Sequence, residues 1–167
     1  MFTIAPLGSH IRTEFSCGVP ELDRYFREIV SQDIKRRVSN CFVALDDAGT
    51  VAGYYTLAAT SLPMTELTPE ETKRLPRYPL LPAGLIGRLA VDERFRGQGL
   101  GSSLIVDAVA LSMRSEPAIF ALVVDAKDTA ALRFYQHLGF RGFLSQPMRL
   151  FIPIAEAARR LSSFQGA

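Results

Sequence analysis

Apolar positions along this chain follow two rhythms, and the switches between them mark the elements. A short apolar stretch, Phe2 to Leu7, reads as a first strand ended by Pro6 and Gly8. From Pro20 the spacing lengthens. Leu22, Phe26, Val30, Ile34 and Val38 recur every four residues, with Tyr25 and Ile29 widening the stripe, which predicts an amphipathic helix. Cys41 to Leu45 and Val51 to Thr60 are apolar runs on either side of Asp46-Asp47-Ala48-Gly49, the pattern of a β-hairpin. Pro63, Pro69, Pro76, Pro79 and Pro82 then mark an ordered excursion holding one short helix, Pro69 to Leu75.

Leu85 to Val91 is nearly continuous apolar sequence, as in a strand buried on both faces. A charged turn, Asp92 to Arg96, leads into Gly97, Gly99 and Gly101. Leu100, Leu104, Ala108 and Leu111 then set a helical period to about Arg114. Beyond Pro117, Ile119 to Val124 reads as another buried strand, and Asp128 to His137 as a helix capped by Asp128 and stopped by Gly139. Phe140 to Leu144 and Met148 to Ile152 close the pattern around Gln146-Pro147. The tail from Ala155 to Leu161 is weakly helical, and the chain is expected to fray from Ser162. This order implies an α/β fold (α+β, one mixed sheet) in a single domain spanning residues 1–167, with 155–167 as a C-terminal tail.

Composition narrows the class only slightly. With 167 residues, 48% hydrophobic and 22% charged, the chain has the make-up of a folded globular protein. No apolar run approaches the ~20 residues that cross a bilayer. The N-terminus lacks the layout of a secretory signal, so a cytoplasmic location and no membrane partner are expected. Cys17 and Cys41 form no metal spacing and read as reduced, structural thiols. Two histidines, His10 and His137, argue against a His-rich metal site. The net charge of +2 points to no partner by itself.

The chemistry concentrates in the stretch from Leu85 to Leu104. A strand, a glycine-rich loop and a helix can hold phosphate, because glycine backbones let successive N–H groups converge and the helix adds unpaired N–H groups and the positive end of its dipole. Arg94 and Arg96 can add side-chain charge. The spacing excludes a Rossmann fingerprint, whose third glycine would stand where Ser102 stands, and no Gly-Lys-Ser/Thr closes a P-loop. From the loop alone, a phosphate cradle and a plain turn are both open.

Arg96-x-x-Gly99-x-Gly101 resembles the Arg/Gln-x-x-Gly-x-Gly/Ala motif of the GCN5-related N-acetyltransferases, the GNAT family. Ala131-Leu-Arg-Phe-Tyr-Gln-His-Leu-Gly-Phe140 resembles that family's Phe-Tyr-x-x-x-Gly-Phe helix. The resemblance implies the GNAT fold, a twisted mixed sheet with a V-shaped gap for acetyl-CoA. Phe15-Ser-Cys-Gly18, Gln32 to Val38, Gly53-Tyr-Tyr-Thr-Leu57, Leu75-Pro-Arg-Tyr-Pro79 and Gly87-Arg-Leu-Ala-Val-Asp92 are similar to the GNAT toxins of bacterial type II toxin–antitoxin systems, over roughly residues 13–152. Those toxins acetylate the α-amino group of aminoacyl-tRNA and block translation. Ribbon-helix-helix antitoxins neutralise them, and homodimers are common among them.

By that resemblance, acetyl-CoA is the acetyl donor. Leu89, Ala90 and Val91 offer backbone to its pantetheine arm, and the amides of Arg96, Gly97, Gln98, Gly99, Leu100, Gly101 and Ser102 hold its pyrophosphate. Tyr135 is the catalytic residue, a phenol that stays protonated at neutral pH and donates to the departing thiolate. On periodicity alone Tyr135 would be a core aromatic beside Phe134. Binding of tRNA requires a basic surface. Lys35, Arg36, Arg37, Arg77 and Arg88 are the candidate substrate contacts, with Lys73, Arg74, Arg141 and Arg149 as further components. Arg88, in an otherwise apolar strand, must either pair with an acid such as Asp92 or Glu93 or face a ligand. A GNAT acting on a small-molecule or protein amine, and a non-catalytic CoA-binding module, are the competing readings.

Overall fold

Four-residue spacing does not match a regular α-helix, which drifts about 40° over each such step. The computed structural model, which describes residues 1–165 and side chains as far as Leu161, shows how the chain takes up that drift. Helix α1 (Pro20–Arg24) passes into a π-helical segment, Tyr25–Ile29, and then into α2 (Val30–Lys35). The wider π turn keeps Phe26 and Val30 on one buried face. The expected stripe ends before Val38, which is 59% exposed, because Arg37 adopts a left-handed φ of 61° and closes the helix.

The residues form two compact units. The first comprises Met1–Ala58 and Ile86–Ala108. In it, β1 (Thr3–Pro6) pairs antiparallel with β2 (Asn40–Leu45), and β2 with β3 (Val51–Pro63). The hairpin turn is the expected one: Asp46 Oδ1 accepts from the N–H groups of Ala48 and Thr50, and Gly49 takes φ +84°. Phe15, Phe26 and Tyr54 form the aromatic centre of the core, the last two stacked at 4.3 Å. Neither cysteine is in a disulfide, and both are buried there.

The expected single strand from Leu85 to Val91 is two strands. β4 (Leu80–Ile86) starts earlier, and β5 (Leu89–Val91) follows a break at Gly87-Arg88. Thr56 on β3 makes the break: its Oγ1 accepts from the Arg88 N–H at 3.0 Å, and its own N–H donates to the Arg88 carbonyl. β5 pairs antiparallel with β3, Ala90 opposite Tyr54. The loop from Asp92 then enters α4 (Leu100–Met113).

The second unit comprises Ala59–Leu85 and the residues from Val109 on. Strand order there is β3, β4, β6 (Ala121–Asp125), β8 (Arg149–Pro153), β7 (Arg141–Gly142). β6 and β8 are antiparallel, with Asp125 opposite Arg149. The excursion's short helix, α3 (Pro69–Thr72), begins with a capping box between Thr68 and Glu71. As expected, Asp128 caps α5 (Thr129–His137) by accepting from the Ala131 N–H at 2.8 Å, and Gly139 ends it at φ +104°. The tail is more regular than expected: α6 (Ile154–Gln165) continues through the first residues assigned to fraying, while Gly166 and Ala167 lie outside the described residues. Among the described residues no helix is long and apolar enough to cross a membrane. Among the described residues the fold is mixed α/β with eight strands.

Candidate active site

In the first unit, the glycine loop is built on one buried carboxylate. Asp92 accepts from the Arg94 N–H, the Ser16 N–H and the Arg94 guanidinium, whose Nε and Nη2 lie 3.0 and 2.9 Å from its two oxygens. Burial opposes the charge on Asp92, but these hydrogen bonds outweigh it and hold the carboxyl below the usual aspartate range. Arg96 sends Nη2 to the Cys17 carbonyl at 2.6 Å and faces Glu93 at 3.6 Å. Gly18, at φ +88°, lets this happen: a Cβ there would lie 2.6 Å from Glu93 Oε1 and 2.9 Å from Arg96 Nη2. Both arginines that sequence reading offered as phosphate charge therefore brace the loop through their side chains.

What the loop presents instead is backbone. Gly97 and Gly99 take φ of 78° and 74°, and no atom lies within 4 Å of where a Cβ would sit on either. These glycines are required by conformation and they border open space. The first helical donor of α4 is the Ser103 N–H, which bonds to the Gly99 carbonyl at 3.1 Å. Leu100, Gly101 and Ser102 thus stand in the first turn, where N–H groups have no intrahelical acceptor. Arg96, Gly97, Gln98 and Gly99 lie exposed just ahead of them. A positive-φ loop running into a helix N-terminus fits a pyrophosphate.

β5 offers a second kind of backbone. Asp92 N–H donates to Ala52 O and Thr56 N–H to Arg88 O, so residues 88 and 92 face β3. Ladder partners alternate, so Ala90 also faces β3, while Leu89 and Val91 direct their N–H and C=O groups to the other edge. Among the described residues β5 pairs with β3 alone. That edge can accept an extended, amide-bearing ligand as another strand would. Gly53 allows α4 to approach: a Cβ on it would meet Ala90 O at 2.9 Å and the Leu100 and Leu104 methyl groups at 3.3 Å.

In the second unit, α5 places Tyr135 with 7% of its surface exposed, edge-on to Phe134 at 5.2 Å and to Phe140 at 5.5 Å. Burial, and then the Asp125 charge, push its phenol up to about 12. Its hydroxyl makes no hydrogen bond among the described residues, and it is not one of the sealed polar atoms that lack a partner. A neutral, unengaged phenol can donate to a ligand. His137 is exposed, as its position two residues on implies.

The basic candidates separate clearly. Lys35, Arg36 and Arg37 are exposed in the first unit, and among the described residues none of them forms an ion pair. In the second unit Arg77 is exposed and forms no ion pair among the described residues, and it lines a groove of about 730 Å³ together with Leu67, Lys73, Leu75 and Tyr78. Arg141 and Arg149 do not belong to a free basic surface. Arg141 bonds to both Glu71 and Glu156, and Arg149 faces Asp125 at 3.8 Å. Arg88 pairs with neither acid expected for it; its Cζ lies 3.5 Å above the Tyr25 ring centroid. Sequence reading missed Asp92, Gly53 and Tyr25. The Asp-x-Arg spacing was the one available signal for Asp92, and the other two depend on distant partners.

A family model described as acetyltransferase (GNAT) domain matches residues 37–142. A tRNA-acetylating toxin of Mycobacterium tuberculosis is 33% identical over 147 residues, 87% of this chain and 87% of that protein. Among solved structures, AtaT complexed with acetyl-methionyl-tRNAfMet superposes with a TM-score of 0.86 at 25% identity, over 95% of this chain and 98% of that one. A mutant AtaT toxin bound to the C-terminus of the antitoxin AtaR shares the fold at 23% identity, with a TM-score of 0.80 over 95% and 96% of the two chains. With its family domain matched over more than half of its length, this chain belongs to the GNAT acetyltransferase family.

Proposed function

We propose that the protein is an acetyl-CoA-dependent N-acetyltransferase acting on the α-amino group of aminoacyl-tRNA, a toxin that stops translation. The observation that carries the catalytic reading is Tyr135, buried, held protonated and with its hydroxyl unengaged. The acceptor is supported by the similarity to a tRNA-acetylating toxin over 87% of the chain. Acetyl-CoA supplies the activated acyl group.

The chain's own residues bind, orient and move one proton. The amides of Arg96 to Ser102 receive the pyrophosphate, and the outward backbone groups of Leu89 and Val91 align the arm, so that binding at the remote end orients the reacting carbonyl. An α-amine beside an ester carbonyl is weakly basic, so it attacks as the neutral amine without a dedicated base. As the C–N bond forms and the C–S bond breaks, Tyr135 gives its proton to the departing thiolate, and the proton shed by the acylated nitrogen passes through water and restores the phenol. Lys35, Arg36 and Arg37, together with Arg77 and Arg88, are the proposed substrate contacts, their free charges suited to phosphate. Residues 1–167 act as one catalytic domain in this account. A cytoplasmic location, homodimerisation and neutralisation by a ribbon-helix-helix antitoxin are proposed on the resemblance to GNAT toxins.

Labelled acetyl-CoA incubated with charged tRNA, deacylated tRNA, polyamines and peptides separates the alternatives. Label on charged tRNA alone supports the proposal. Label on small or protein amines only selects another GNAT activity, and no transfer to any acceptor selects a binding module.

A further inference from the structure

We propose that Arg88 grips a phosphate oxyanion of a bound substrate, and that Tyr25 and Asp33 are positioning residues that set its guanidinium for that contact. The inference rests on the acetyl-transfer reading above, whose two substrates both carry phosphate.

Among the described residues, Arg88 is a half-buried cation with no carboxylate at ion-pair distance. The acids nearest to it in sequence are taken, Asp92 by Arg94 and Glu93 by Arg96. Among the described residues its side chain makes no hydrogen bond or ion pair, and its ring contact is the stack on Tyr25. A charge drawn partly out of water with no counter-ion is costly, and a fold does not keep one without a use for it.

Its pose is nonetheless closely fixed. Thr56 holds the Arg88 backbone at both its N–H and its carbonyl. The guanidinium carbon sits 3.5 Å from the ring centroid of Tyr25, a residue with 4% of its surface exposed. The Tyr25 hydroxyl donates to Asp33 Oδ2 at 2.6 Å. Tyr25 opens the π-helical segment and Asp33 stands on α2 beyond it, so the π turn belongs to the same device. Such turns are frequent at functional sites. Donation to a carboxylate leaves the ring richer in electrons, which favours a cation on its face.

Stacking uses the face of a guanidinium and leaves its edge. Five N–H donors in a planar fork remain, a shape that matches phosphate oxygens two at a time. A lysine in this place could neither stack in the same way nor present that fork. The oxyanion belongs to the RNA acceptor end or to the CoA donor, and kinetics distinguish the two.

Wild type, Arg88→Ala, Arg88→Lys, Tyr25→Phe and Asp33→Asn are compared with charged tRNA and acetyl-CoA varied separately, with melting temperature as the folding control. Binding of deacylated tRNA at several salt concentrations accompanies the kinetics. Arg88→Ala is expected to raise one KM by about tenfold to a hundredfold, and Arg88→Lys to recover only part of it. Tyr25→Phe and Asp33→Asn raise that same KM by a smaller factor and leave the other unchanged. A higher KM for tRNA, with the log–log salt slope reduced by about 1, assigns the RNA phosphate. A higher KM for acetyl-CoA with the slope unchanged assigns the donor. Arg88→Ala with both KM values within about twofold of wild type overturns the proposal. Tyr25→Phe that shifts only the melting temperature overturns its positioning part. Wild type that leaves charged tRNA unmodified refutes the acceptor reading instead, and binding of deacylated tRNA and of CoA still reports on Arg88.

Discussion

Asp92 and Arg94 form a bidentate pair at the mouth of the glycine loop, and the Asp92 side chain in that pair is 2% exposed while that of Arg94 is 48% exposed. The same carboxylate takes the Ser16 N–H, so one buried charge joins the loop to the segment carrying Cys17 and Gly18. Asp92→Asn should cost about 1–3 kcal/mol in urea unfolding at pH 7, the partner's exposure keeping the figure modest. The folded pKa of Asp92 lies below its unfolded value of about 3.9, so its contribution is complete above that pH and is lost as pH falls through the folded value. The stability gap between wild type and Asp92→Asn should therefore stay constant from pH 7 to about 5 and close below about 4. A gap that widens in acid contradicts this account.

Gly53 tests the approach of α4 to the sheet. Gly53→Ala places a methyl group 2.9 Å from the Ala90 carbonyl oxygen, a backbone atom that cannot swing away. A loss of about 1–3 kcal/mol is expected from overpacking. Because β5 and the start of α4 are the parts displaced, isothermal titration should show weaker acetyl-CoA binding as well. Unchanged affinity with a lowered melting temperature would separate Gly53 from the cofactor site.

Tyr135→Phe keeps the ring that packs on Phe134 and Phe140 and removes only the proton donor. The melting temperature and acetyl-CoA affinity should hold, while kcat falls by about 10²- to 10⁴-fold. With the phenol pushed up to about 12, wild-type kcat should show no fall from Tyr135 ionisation on passing through pH 10, where an ordinary phenol titrates. A descending limb near pH 10 that disappears in Tyr135→Phe would contradict the assigned shift.

Free and paired cations should behave differently toward RNA. Replacing Lys35, Arg36 and Arg37 together by alanine should weaken tRNA binding and reduce its log–log salt slope by about 2–3. Arg141→Ala breaks the bonds to Glu71 and Glu156 and should lower the melting temperature while leaving that slope unchanged. Equilibrium binding across salt concentrations checks both.

The contrast between these cations shows what the chain made legible. Features set within a few residues were readable: the Asp46 to Gly49 turn, the Asp128 cap, the Gly139 stop and the two motifs that carried the family resemblance. Features set across the chain were not. Arg96 reaches a carbonyl 79 residues away and Asp92 an amide 76 away, so neither use could be inferred from the loop's own spacing. The break at Gly87-Arg88 depends on Thr56, and the stack of Arg88 on Tyr25 joins residues 63 positions apart. Arg141 and Arg149 look like any surface arginine in sequence. Only the packing of α3, α6 and β6 around them supplies Glu71, Glu156 and Asp125.

Acetyl transfer to the α-amine is tested most directly by digesting charged tRNA after incubation with the protein and acetyl-CoA, then identifying the aminoacyl-adenosine released by mass spectrometry. The predicted product carries the acetyl group on its α-amine, and Tyr135→Phe yields almost none of it. Aminoacyl-adenosine recovered unmodified from the wild-type reaction, while the same protein acetylates another amine, would contradict the proposed acceptor.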